Sequence, residues 1–298
     1  KKLQHPTIDW FRRNKEKIKF SMNQLYKVVG VSKQAVNQYS KRQVLFDKNV
    51  QNLIIEAEEL RAEHPGCGVE KMYNTLKPDF IGRDRFIDLF MNLGFRIKKK
   101  KNYRRTTYAS SIYYPNLIKG MQLKAPSVIW QSDITYISVG DKFYYAVFII
   151  DVYTKKIVGY QVSNHMRATA NINALNQALK DNKAPLIHHS DRGSQYVCKE
   201  YNELLKDNKS KISMALCGQD NAYAERINRT IKEEYLDYWN PKTFDQLKKC
   251  LEKAVNHYNN KRPHNNIGKL TPMEFENKWF NDNSFSKPIL TIFDNEII

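Results

Sequence analysis

Three strand-length runs, each rich in apolar residues, follow one another between Val128 and Val162. Val128–Val139 and Phe143–Asp151 lack the strict polar/apolar alternation of a half-exposed strand, so both of their faces require cover. This fixes the back half of the chain as a sheet enclosed by helices. The helices follow in order: 169–181, with Ile172, Leu175, Ala178 and Leu179 on one face, then 199–207, 222–236 and 243–260. Two further short strands, Pro185–Ser190 and Ile212–Leu216, lie between them. The order is three strands, helix, strand, helix, strand, helix, which predicts an α/β domain with a mixed five-stranded sheet and flanking helices.

Inside the first run sits Asp133, in Trp130-Gln131-Ser132-Asp133-Ile134-Thr135-Tyr136. A carboxylate in such a strand is costly to bury unless its charge is compensated. Two other acids occupy comparable places. Asp191 closes a strand in His188-His189-Ser190-Asp191-Arg192-Gly193-Ser194-Gln195-Tyr196, and Glu225 opens a helix in Asp220-Asn221-Ala222-Tyr223-Ala224-Glu225-Arg226. Three carboxylates from separate elements suit an oxygen-loving divalent cation such as Mg²⁺. Without a cation, three acids brought close together raise one another's pKa. Along helix 222–236 Glu225, Asn228, Arg229 and Lys232 share one face, so the acid at its start is a candidate metal ligand and Asn228, Arg229 and Lys232 are candidate contacts to nucleic-acid phosphate along the rest. His189 is expected to be a buried strand histidine and Asp151 a turn or sheet-end residue.

The charge is lopsided. The chain of 298 residues carries +18, with 49 Lys and Arg against 31 Asp and Glu, and residues 1–125 alone hold 26 against 11. A basic front and a nearly neutral back suit binding of a polyanion in front and chemistry behind. Met22 to Tyr39 has a helix-turn-helix rhythm: Gly30 ends one helix, Ser32 caps the next, and Ala35, Val36 and Tyr39 form an apolar stripe. Ser32, Lys33, Gln34 and Asn37 then occupy the start of a candidate recognition helix, with side chains able to read bases in a major groove. Residues 47–63 are expected to be a separate acidic helix. A second helix-turn-helix-like unit spans Val69–Phe95, with Phe86, Leu89, Phe90 and Leu93 as its core face. Seven of the ten residues 96–105 are basic. Lys98, Lys99, Lys100, Lys101, Arg104 and Arg105 are therefore candidate phosphate contacts, and Tyr103 and Tyr108 candidate base-stacking groups. The expected boundaries are helix-turn-helix domain 1–46, second helical domain 47–97, basic linker 98–126, catalytic domain 127–240, and C-terminal helical extension and tail 241–298. Cys67, Cys198, Cys217 and Cys250 show no zinc or Cys-x-x-Cys spacing and are expected to be reduced thiols. No apolar run approaches the length needed to span a bilayer.

The three acidic segments resemble those of the DDE transposase and retroviral-integrase superfamily, and within it the second-frame (OrfB-type) transposase chain of insertion-sequence family three. The resemblance extends to Asp151 with Ile157, Val158 and Gly159, to Lys232 with Glu234, to Tyr258-Asn259-Asn260-Lys261-Arg262-Pro263-His264, and in front to His64-Pro65-Gly66. It implies a ribonuclease-H-like catalytic domain preceded by all-α DNA-binding domains. It also implies an enzyme, a polynucleotidyl transferase that binds transposon terminal inverted repeats, cleaves DNA strands and joins the 3′-hydroxyl to target DNA. Asp133, Asp191 and Glu225 would be the catalytic acids, holding two Mg²⁺ ions for which Mn²⁺ can substitute. A homodimer or higher oligomer on DNA is expected, acting in the bacterial cytoplasm at the nucleoid. The absent initiator Met fits one part of a longer frameshift fusion. Two features depart from the family pattern: the 34-position gap between Asp191 and Glu225 is slightly short, and Arg226 follows the Glu where Ser is common. Two other readings remain open, a catalytically silent DNA-binding regulator of transposition and a hydrolysis-only nuclease of the same fold.

Overall fold

The computed structural model describes residues 21–97 and 114–292, together with Ile8, Trp10, Phe11 and Asn14. The chain divides into two compact units, residues 1–59 with 78–82, and residues 60–77 with 83–298.

In the first unit, α1 (Met22–Val29) starts at Ser21, whose hydroxyl accepts the Gln24 amide while the Gln24 side chain returns to the Ser21 N–H. Gly30 ends it in the left-handed region, at φ 70°. Ser32 Oγ then accepts the Ala35 amide at 3.1 Å, opening α2 (Lys33–Glu63). Ile8, Leu25, Tyr26 and Val36 form the small core. Of the expected stripe only Val36 is buried, whereas Ala35 and Tyr39 are exposed, because this core covers only a narrow seam of α2. The expected break near residue 46 is also absent. No Gly or Pro lies between Lys33 and Glu63, so nothing stops the helix.

The second unit contains α3 (Val69–Leu76) and α4 (Arg83–Asn92). Phe86 and Phe90 stack with ring centroids 4.1 Å apart, flanked by Tyr73 and Phe95. Leu89 is only half-buried, and Leu93 is 45% exposed rather than part of the core. The helix ends at Asn92 and the chain turns at Gly94 (φ 89°), which carries Leu93 off the buried face.

A five-stranded sheet dominates this unit. It is built from β2 (Ile129–Val139), β3 (Lys142–Asp151), β4 (Ile157–Ser163), β5 (Ile187–Ser190) and β6 (Lys211–Met214), in the order β4-β3-β2-β5-β6. The pairs β2–β3 and β3–β4 are antiparallel; β2–β5 and β5–β6 are parallel. On one face lie α5 (Thr169–Asp181) and α6 (Lys199–Asp207), on the other α7 (Ala222–Ile231) and α8 (Phe244–Asn260). This is the ribonuclease-H-like arrangement expected. The apolar runs are explained by β3: Ala146, Phe148 and Ile150 join the core under α7 and α8, while Val147 and Ile149 join the core under α5. Gly159 lets α5 lie close on β4, since a Cβ there would stand 2.3 Å from the Ala174 carbonyl oxygen.

Two sequence boundaries shift. The sequence pattern places residues 114–126 in the linker, but Ile118 and Leu123 are buried, and β1 (Gln122–Leu123) pairs with β7 (Leu290–Thr291). Both apolar side chains find a place in a third core cluster with Phe275 of α9 (Pro272–Asn281). Likewise α8, expected in an extension, supplies Leu247, Leu251, Ala254 and Tyr258 to the core against the sheet.

Candidate active site

Asp133 lies midway along β2, opposite Phe148 on β3. On its other side the parallel register pairs Gln131 with His189 and Ser132 with Ser190. Asp191 follows Ser190 directly at the end of β5, near enough for its charge to act on Asp133. The helix carrying Glu225 is fastened to the same strand. Gln131 Oε1 accepts the amides of Tyr223 at 3.2 Å and Ala224 at 3.4 Å, while its Nε2 donates to the Asp220 carbonyl. Asn221 Nδ2 donates to the Ser132 carbonyl at 3.0 Å. The first turn of α7, with Glu225, is therefore held against the segment of β2 that bears Asp133.

Farther along, Asn228 Nδ2 donates to Asp133 Oδ2 at 2.7 Å, and Lys232 Nζ donates to Thr135 Oγ1 at 2.8 Å. Asn228 and Lys232 are one helical turn apart, and Asp133 and Thr135 are two strand residues apart, so the two periodicities match along the contact.

The carboxylates feel one another. Burial pushes the Asp133 carboxyl up to about 8, with Asp191 and Glu225 adding to the rise. The Ile134 N–H and the Asn228 amide oppose the rise without cancelling it. Partial desolvation also raises Glu225, with Arg229 opposing and Asp191 reinforcing. Among the described residues, however, no three His, Cys, Asp or Glu side chains stand close enough to hold a metal ion as placed. The three acids are thus electrostatic neighbours rather than a gathered coordinating set. Their chemistry fits a hard divalent cation: all the donors are carboxylate oxygens, and the central one carries an uncompensated cost of ionisation.

The sequence pattern directs Asn228 towards phosphate, but it is only 6% exposed and its amide is turned onto Asp133. Lys232 is half-buried and Arg229 exposed. In the first unit Ser32, Lys33, Gln34 and Asn37 are all exposed at the start of α2. Lys98, Lys99, Lys100, Lys101, Arg104 and Arg105, and with them Tyr103 and Tyr108, lie outside the described residues. His189 is buried, its Nδ1 2.8 Å from Ser213 Oγ. Asp151 is a sheet-end residue accepting the amides of Ser127, Tyr153 and Thr154. Sequence reasoning passed over Gln131 and Asn221. Their one signal is an amide side chain inside an expected strand and another just before an expected helix.

A mixed five-stranded sheet of this order, covered by helices on both faces, is the fold of an integrase-type core. The Integrase core domain family matches residues 124–219, and a second family of the same description matches residues 214–272. An uncharacterized 31 kDa protein of insertion element IS600 from Shigella sonnei is 33% identical over 207 residues, covering 67% of this chain and 76% of that protein. The transposase for insertion sequence element IS904 of Lactococcus lactis is 33% identical, covering 60% and 72%. Among solved structures, the HTLV-2 integrase catalytic core domain in complex with magnesium is similar at 21% identity, with a TM-score of 0.44, covering 54% of this chain and 99% of that one. The chain belongs to the insertion-sequence transposases with an integrase core.

Proposed function

We propose that this transposase binds the terminal inverted repeats of its element and catalyses divalent-cation-dependent strand cleavage, followed by joining of the freed 3′-hydroxyl to target DNA. The observation that carries the reading is Asp133, a partly buried carboxylate bonded to Asn228, with Asp191 and Glu225 in electrostatic reach. Asp133, Asp191 and Glu225 would hold the cations. A pair of bound Mg²⁺ ions would supply charge compensation for the attacked phosphodiester.

The chain's own residues do the rest. Asn228 fixes one oxygen of Asp133, so the carboxylate presents a defined orientation. Gln131 and Asn221 hold the helix start, which sets the height of Glu225 along β2. Arg229, exposed on that helix, would meet backbone phosphate, and Lys232 stands one turn beyond Asn228. Ser32, Lys33, Gln34 and Asn37 offer donors and acceptors for base edges, and the run Lys98–Lys101 with Arg104 and Arg105 supplies sequence-independent phosphate affinity. Because two element ends must be joined, the working form is a homodimer or larger assembly on DNA.

Labelled terminal-repeat DNA, incubated with the protein, a target plasmid and Mg²⁺, is expected to give a joined product. Cut ends without joining would make the protein a hydrolytic nuclease. Retention of the DNA with neither product would make it a regulator.

A further inference from the structure

Three segments that the catalytic chemistry leaves unused meet at one side chain. They are His64-Pro65-Gly66, the stretch 233–236, and the run ending in Arg262-Pro263-His264. Glu234 lies in a π-helical turn, Lys232–Leu236, that continues α7, and turns of this kind concentrate at functional positions. Its carboxylate accepts Arg262 through both Nε and Nη2, each at 2.8 Å. It also accepts His64 Nε2 at 2.7 Å and Lys71 Nζ at 2.5 Å. The backbone takes part as well: the Gly66 amide donates to the Glu234 carbonyl at 2.7 Å. Any Cβ at Gly66 would stand 2.3 Å from the Glu234 Cα, so only glycine allows this approach. The His64 ring stacks on Tyr235 at 4.6 Å. Nearer the surface Lys261 pairs with Glu63, and Lys269 donates to Asn74.

Glu234 carries the compensating charge for two cations, and its side chain is only 17% exposed. Its carboxyl is held far below the usual carboxylate range: the Arg262 and His64 hydrogen bonds and the positive neighbours outweigh burial. Removing one member of such a buried set leaves the others uncompensated, so the set behaves as a unit. Asn228 of α7 and Lys232 at the start of the π-helical turn bond to β2, and Glu234 fastens the far end of that same rod to residues 60–77 and 262–264. A rod held at both ends keeps its register along β2.

We infer that Glu234 is a positioning residue for the transfer reaction: its ionic set locks the helix bearing Glu225 to the segment 60–77, so that loosening either one loosens the other. The inference rests on the reading of Glu225 as a site acid.

The test uses the full chain as wild type, Glu225→Gln, Glu234→Gln and Lys71→Met, read by amide hydrogen exchange and by kcat and KM of strand transfer on pre-cut ends. Glu234→Gln is expected to speed exchange about tenfold in both 64–72 and 222–231 while β2 and β3 keep their protection. It should lower kcat about tenfold or more, with a much smaller change in KM. Lys71→Met, which removes a peripheral member that is 28% exposed, is expected to shift both segments in the same direction by a few-fold, and carries the test if Glu234→Gln does not fold. Loosening confined to 64–72, or an unchanged kcat, overturns the inference. Glu225→Gln separates the two ideas: an inactive variant with wild-type exchange upholds the site reading whatever Glu234 does. Full activity in that variant would end the site reading itself.

Discussion

Asp133→Asn is expected to abolish strand joining, with a loss of at least about 10³-fold, while retention of terminal-repeat DNA stays near wild type. Asn keeps the shape of the side chain: its oxygen can still accept the Ile134 N–H, and its Nδ2 can donate to Asn228 Oδ1 once that amide turns over, so the fold is preserved and only the charge is removed. The same variant has an opposite effect on stability. The Asp133 carboxyl is pushed up to about 8 by burial and by its acidic neighbours, well above the ordinary carboxylate value of about 4. Protonated Asp133 favours the folded chain. That contribution is complete below about pH 4 and is lost as the pH rises towards 8. In the absence of divalent metal, the wild type should therefore lose stability over this window. Asp133→Asn should lose less, and at pH 8 should melt above the wild type by the equivalent of about 1–3 kcal/mol. Thermal melts with a chelator at pH 5 and pH 8 measure this. A variant that melts lower than wild type at both would mean that the carboxylate is compensated within the protein, leaving a cation no role in stabilising it. Joining that survives the substitution removes Asp133 from the site.

The second large effect concerns binding. Replacing Lys98, Lys99, Lys100, Lys101, Arg104 and Arg105 together by Gln is expected to flatten the dependence of log affinity on log salt by up to about 5, close to 0.9 for each phosphate no longer neutralised. At low salt the affinity for end DNA and for random DNA should fall together, because phosphate contacts carry no sequence information. Binding isotherms at several salt concentrations give the slope. An unchanged slope would place the phosphate-binding groups elsewhere.

What the sequence made legible was what the local pattern dictates. The strands of the sheet were readable because runs such as Phe143–Asp151 must be covered on both faces, and α5 and α6 because their apolar positions recur at helical spacing. Asp133, Asp191 and Glu225 stood out because a carboxylate costs most where apolar residues surround it. The shifts occur where a partner decides the outcome. Leu93 has the right spacing for the α4 core, but the turn at Gly94 takes it away. Tyr39 continues a plausible stripe that this core covers only at Val36. Asn228 shares a face with Arg229, yet the β2 strand claims it through Asp133. Ile118 and Leu123 looked like linker until a third core cluster accepted them. No periodicity announced that Glu234, remote from His64 and Arg262 in the chain, would gather both.

The most direct measurement is anomalous scattering from crystals equilibrated with Mn²⁺, with end DNA bound. Manganese peaks within coordination distance of Asp133, shared with Asp191 and with Glu225, are the predicted result. Ordered manganese elsewhere, with these three carboxylates unliganded at saturating metal, would contradict it.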